Sequence, residues 1–255
     1  MNWLENVYAY CERGHDPSLA AEPLNAVSNI AFLLVAALVL RQARQLGTAG
    51  MLSPKGFRTL TGMATLVALV GIGSFIFHTV ATRWARLADV LPIAIFMAVY
   101  LAYALTAFLG VAHQWLAPIV ITFLAAGALA GMIPCDGLLA QASIQPQGMA
   151  PGSENCLNGS LGYGPALIVL LLVGTMAYAN GRDPGYLIAA AVTFFVSLVM
   201  RTIDISACHA LVLSSTPRGT HSLWHVLNAL TLYLLLRAAR QRELRVNREA
   251  AAPEP

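Results

Sequence analysis

Seven runs of mostly apolar residues dominate this chain, at approximately 23–41, 58–80, 87–110, 115–133, 162–180, 186–207 and 220–238. A helix rising about 1.5 Å per residue needs roughly 20 residues to cross a hydrocarbon core of about 30 Å, and only helices and closed barrels satisfy their own backbone there. Runs of this length, bounded by charge, Gly or Pro, predict an all-α membrane protein, a seven-transmembrane helix bundle. Composition agrees, because only 11% of the 255 residues are charged, against about 25% in a soluble domain. So few charges could not cover the surface of a water-soluble globule, and that class is excluded. The net charge of +3 reports topology before it reports ligands, and no nucleic-acid partner is expected.

The runs divide the chain into an extracytoplasmic segment over 1–22, a transmembrane domain over 23–238 and a cytoplasmic tail over 239–255, with one long loop at about 134–161. The opening MNWLENVYAYCERGHD has no basic stretch before an apolar core, so it does not read as a cleaved signal peptide. Basic residues concentrate on the cytoplasmic side of membrane proteins. Ten of the fifteen lie on one side of a seven-span chain: Arg41, Arg44, Lys55, Arg58, Arg182, Arg237, Arg240, Arg242, Arg245 and Arg248. That places the N-terminus outside and the C-terminus in the cytoplasm. Cys11, Cys135, Cys156 and Cys208 then all fall on the outer side, where disulfides persist. Four cysteines permit three pairings; Cys135 and Cys156 bracket the long loop, Cys11 could reach Cys208, and the choice stays open.

Ionisable groups inside a bilayer are costly and must find partners, so each is a functional candidate. Run two ends in GIGSFIFHT, with Ser74 and His78 four apart; run three opens with RLADVLP, carrying Asp89; run seven opens with THSLWHVLN, with His221 and His225 four apart. Residues four apart share a helix face. Run two ends outward, while runs three and seven begin there, so all five groups are expected at one depth near the outer leaflet. Three imidazoles with an open fourth position match a catalytic zinc site. Zinc acidifies a bound water and polarises a carbonyl. Asp89 would take the proton from that water. Ser74 would donate to an oxyanion or orient the water.

Other polar groups receive plainer readings. His15, His113 and His209 read as interfacial or interhelical, Arg201 and Asp204 as a local ion pair, and Trp84, Trp115 and Trp224 as an aromatic belt, Trp224 also being able to wall the site. Asn25, Ser28 and Asn29 share a face and are expected to bind neighbouring helices, and Gly71, Gly73, Gly127 and Gly131 to let helices approach closely.

The combination of Ser74-x-x-x-His78, Asp89 and His221-x-x-x-His225 resembles the signature of the CREST superfamily of seven-span metal-dependent hydrolases, and within it the alkaline ceramidases. The N-terminal run YCERGHDPSLAAEPLNAVSN resembles the Cys-Glu segment and the Glu-x-x-Asn-x-x-Ser-Asn lead into the first span that ceramidases carry. The resemblance implies hydrolysis of the ceramide amide to sphingosine and a fatty acid. It makes His78, His221 and His225 zinc ligands, Asp89 the general base and Ser74 the oxyanion stabiliser. It also implies a calcium site bearing on the zinc, with Glu12 and Glu22 at matching acidic positions, and a disulfide between Cys11 and Cys208. Against the family, the Asp expected shortly before Cys11 is missing, with Ala9 and Tyr10 there instead.

A long acyl chain would enter sideways from the leaflet, so a ceramide-like lipid is the expected partner, with no obligate protein partner evident. A lipid ester or phospholipid hydrolase of the same superfamily is the alternative chemistry, and a non-catalytic seven-span receptor or transporter the alternative class. Ala-rich spans and compact loops favour a bacterial cytoplasmic membrane over the endoplasmic reticulum or Golgi.

Overall fold

The computed structural model describes residues 2–133, 156–208, 212–213 and 216–251. The chain is all-α. In order, the α-helices are α1 (Pro23–Ser28), α2 (Ile30–Thr48), α3 (Pro54–Val80), α4 (Arg83–Leu109), α5 (Leu116–Gly131), α6 (Gly164–Ala179), α7 (Gly185–Thr202) and α8 (His221–Ala251). Short 3-10 turns, His113–Trp115 and Cys156–Tyr163, lead into α5 and α6, and an antiparallel pair, Val212–Leu213 with Thr216–Pro217, precedes α8.

Among the described residues, six helical segments are long and apolar enough to cross a membrane: Pro23–Thr48, Pro54–Val80, Arg83–Leu109, His113–Gly131, Cys156–Ala179 and Gly185–Thr202. They correspond to the first six apolar runs. The seventh run forms the first part of α8, but His221, His225 and Asn228 are buried along it and lower its hydropathy below that of the others. The helix α8 also runs on through the charged residues to Ala251. The helix α7 ends at Thr202, short of the expected 207, because the chain turns there to bring Asp204 inward.

Local chemistry explains the helix ends. In α3, Pro54 at the first position needs no amide partner, and the Ser53 hydroxyl accepts from the Gly56 amide at 3.0 Å. The same helix stops at Ala81, which is left-handed at φ 48° and accepts from the Val7 amide at 2.7 Å, so the N-terminal segment is tied to this corner. The helix α3 runs through the bundle: α2, α4 and α8 all pack on it. Its buried Leu60, Ala64 and Val67 meet Phe32, Phe96 and Leu236 in the main core. Large apolar side chains such as Leu34, Ile121, Leu172, Phe195 and Leu230 face outward, as lipid-facing residues do, while Asn25, Asn29, Ser74 and His78 are buried within.

The two ends of the bundle differ. At one end the basic residues gather: Arg240 donates to Gln42 at 2.7 Å, Arg242 to the Ala107 carbonyl at 2.9 Å and Arg237 to Tyr186 at 2.7 Å. At the other end lie the last turn of α3, the first turns of α4 and α8, and the N-terminal segment.

Candidate metal centre

His78 closes α3, and His221 and His225 open α8 one turn apart. The three rings meet with centroids 4.6–5.1 Å apart, and one nitrogen from each lies within 4.8 Å of the others. All three are buried.

Hydrogen bonds fix which nitrogen two of the rings present. His78 Nδ1 lies 2.6 Å from Glu22 Oε2, so it carries the proton and leaves Nε2 with its lone pair. That Nε2 is buried with no partner. His225 Nδ1 lies 2.7 Å from Ser28 Oγ, whose single proton is already donated to the Asn25 carbonyl at 2.8 Å. The hydroxyl must therefore accept, so His225 is also protonated at Nδ1 and presents Nε2. His221 Nδ1 is buried without a partner. Orphaned imidazole nitrogens at the centre of a three-histidine cluster are costly unless an ion takes them, and neutral imidazoles suit a divalent transition metal. A metal fits these residues.

The sequence did not mark two of these partners. Ser28 was expected to bind a neighbouring helix, and it does so through a metal-centre histidine. Glu22, expected at a calcium site, is the partner of His78. Burial works against its charge, but His78, Asn25 and Arg13 together hold its carboxyl below the ordinary range. Glu12 accepts from the Leu24 and Asn25 amides at 2.9 and 2.8 Å and from Arg218 at 2.6 Å.

Asp89 sits in the second turn of α4, near Ser74 across the contact with α3, with its Oδ1 buried without a partner. This closeness depends on Gly73, where a Cβ would stand 2.1 Å from the Ala88 carbonyl oxygen. Asp89 borders a cavity of about 550 Å³ together with Arg86, Arg201, Tyr10, Tyr163 and Asn158. A narrower apolar cavity of about 90 Å³ adjoins it and shares Ile93, Met97 and Phe123, so apolar space continues from Asp89 into the bundle. Tyr10 lines the larger cavity and stacks on His221 at 3.6 Å between centroids. Burial pushes its hydroxyl up to about 12 against the pull of Arg201, so it stays protonated.

The expected ion pair of Arg201 with Asp204 does not form. Arg201 instead lies 5.4–5.6 Å from the ring centroids of Tyr10, Tyr163 and Trp224 and donates to the Tyr10 hydroxyl at 3.1 Å. Three aromatic faces offset the desolvation of the guanidinium, and its place on the cavity wall is the second feature that spacing alone missed. Trp224 is correspondingly buried rather than part of an interfacial belt, while Trp84 and Trp115 are exposed. Asp204 accepts three backbone amides, from Cys11 at 2.9 Å, Thr220 at 2.7 Å and His221 at 2.8 Å. It thereby pins the first residue of α8. Gly219, left-handed at φ +61°, permits this, since a Cβ there would stand 2.2 Å from Asp204 Oδ1. A disulfide joins Cys11 to Cys208 across 197 residues beside this knot. Cys156 is buried, and Cys135, its expected partner, lies outside the described residues, as does His209.

A family model described as Ceramidase matches residues 3–142 of this chain. No curated protein matches it.

Proposed function

The chain belongs to the ceramidase family, and on that premise we propose that it is a zinc-dependent amidase that cleaves ceramide, or a related N-acyl lipid, within the membrane into a sphingoid base and a fatty acid. The observation that carries this is the buried cluster of His78, His221 and His225, with orphaned nitrogens on His78 and His221.

His78, His221 and His225 would hold the ion. When bound, zinc would supply Lewis acidity, bringing the pKa of a water down towards neutrality and polarising a carbonyl. Asp89 would serve as the base for the attacking water and would return that proton to the departing nitrogen, so that the amine leaves neutral. Its free Oδ1 is suited to this task, since a general base needs an unshared lone pair within reach of the reactants. Ser74 of α3, close to Asp89, has a hydroxyl that can turn to the developing oxyanion. Glu22 and Ser28 orient His78 and His225 and keep both in the tautomer a metal requires. The larger cavity receives the polar end of the lipid between Asp89 and Arg201, and the apolar cavity beyond receives an acyl chain. Arg201, cationic and close to Asp89, favours the fatty-acid carboxylate as it forms.

We place seven spans in the bilayer, with α8 as the seventh. Its polar groups face the metal centre, which explains why composition alone does not single it out. The arginine-rich end faces the cytoplasm and the metal centre faces outward, in a bacterial cytoplasmic membrane. Residues 1–22, 23–238 and 239–255 are the outer segment, the hydrolase domain and the tail. The test is elemental analysis of purified protein combined with a lipid panel. One zinc per chain and free sphingoid base released from ceramide support the reading. Full activity in metal-free protein overturns the zinc role, and cleavage of esters or phospholipids but not amides overturns the substrate class.

A further inference from the structure

The calcium site implied by the family resemblance calls for six to eight oxygens around a divalent cation, with Glu12 and Glu22 among them. In this chain the oxygens near those carboxylates already surround a cation. Arg13, 3% exposed, directs its guanidinium into a cage of five oxygens. Its Nε donates to Glu22 Oε1 at 2.5 Å, its Nη1 to the Asp16 and Ser18 carbonyls at 3.1 and 2.8 Å, and its Nη2 to the His78 and Thr79 carbonyls at 2.9 and 3.4 Å. A guanidinium has five N–H groups, and each has a partner here.

The remaining carboxylate oxygens are used as fully. Glu22 Oε2 takes His78 and Asn25, and both oxygens of Glu12 take backbone amides, with Arg218 added on Oε1. Arg13 and Arg218 supply two positive charges to the two carboxylates, the same charge that one calcium ion would bring. A calcium ion added beside them would face two guanidinium groups in a poorly hydrated site, and carboxylates that already accept N–H donors, while the unpartnered Asn25 side-chain oxygen is a single neutral ligand. Shortly before Cys11, where the resemblance calls for an Asp, this chain has Ala9 and Tyr10, neither of which has a carboxylate to give. The residues do not fit calcium.

We infer that the Arg13 guanidinium permanently occupies the place of the calcium that the family resemblance implies, so that this protein binds no calcium in its N-terminal segment and its metal centre is held without it. The structural consequence runs through one chain of contacts. Arg13 grips the last carbonyls of α3, where a cation also complements the helix C-terminus, and it fixes Glu22, which orients the His78 ring. A calcium ion could come and go with its concentration. A side chain cannot, so the N-terminal segment, Glu22 and His78 stay locked together at any calcium level.

The inference rests on the family assignment but not on which lipid is cleaved, and its test needs no substrate. Purified, zinc-loaded full-length protein in detergent is titrated with calcium by calorimetry and melted in EGTA and in millimolar calcium. No saturable calcium binding and an unchanged melting temperature are expected. One saturable site per chain accompanied by a rise in melting temperature would overturn the inference. A second measurement addresses the locking itself. Arg13→Lys keeps the charge, but a single ammonium cannot reach Glu22 Oε1 and the His78, Asp16 and Ser18 carbonyls together. Chelator competition should show its zinc affinity weakened about 10- to 100-fold, as for loss of an outer-shell partner. Wild-type zinc affinity in that variant would refute the coupling of Arg13 to His78, whatever the lipid assays give.

Discussion

Gly73→Ala puts the approach of α3 to α4 under direct test. The new Cβ would stand 2.1 Å from the Ala88 carbonyl oxygen, 2.9 Å from its carbon and 3.4 Å from the Asp89 Cα. An unstrained carbon–oxygen contact is about 3.3 Å, so the helices must part by about 1.2 Å at this point. The oxygen belongs to backbone and cannot rotate away. Helix α3 is held on its other sides by α1, α2 and α8, so the start of α4 is the part that yields. Asp89 follows Ala88 directly and would move with it, away from Ser74 and the histidines. Overpacking of this kind costs about 1–3 kcal/mol. A misplacement of about 1 Å in a catalytic group costs on the order of 10²-fold in rate. The expected variant folds with a lowered melting temperature, binds zinc at one per chain because no ligand lies on α4, and hydrolyses ceramide about 100-fold more slowly in kcat. Gly62→Ala is the control. It lies on the same helix with nothing within 4 Å of its added Cβ, and should leave turnover unchanged. Normal kcat and melting in Gly73→Ala would refute the argument that this contact positions Asp89.

Further outcomes follow from single contacts. Asp89→Asn should keep its zinc and lose about 10²- to 10⁴-fold in kcat, and normal turnover would remove Asp89 as the base. Glu22→Gln loses the carboxylate that holds His78 Nδ1, so its zinc affinity in chelator competition should fall about 10- to 100-fold; unchanged affinity would show that Glu22 does not orient the ring. Asp204→Asn turns an amide donor toward a backbone N–H of Cys11, Thr220 or His221, and should cost about 1.5–3 kcal/mol in a denaturation experiment, with zinc bound more weakly because the start of α8 is released. Cys208→Ser removes a cross-link spanning 197 residues and should cost about 2–5 kcal/mol by the same assay; an unchanged stability would show that this bridge does not hold the N-terminal segment.

What could be read in the sequence and what could not divide along a physical line. The apolar helices, the shared face of His221 and His225, and the pairing of Ser74 with His78 one turn below follow from local rules: a bilayer demands about 20 apolar residues per helix, and residues four apart face the same way. The convergence of α3, α4 and α8 at one end follows from alternating direction along the chain. Partner identity is not local. His78 takes its proton acceptor from 56 residues away and His225 from 197 away, and no spacing pattern records such pairs. Arg201 and Asp204, three apart, looked like an ion pair by the helical rule, but α7 ends between them, and each turned to partners the sequence does not adjoin. Arg13 is the sharpest case. In the sequence it is one basic residue beside Glu12, and only Glu12 and Glu22 stand at positions where the resemblance implies calcium. Only the folded chain, by bringing the end of α3 against the segment before α1, closes five oxygens around its guanidinium and makes the residue itself the cation.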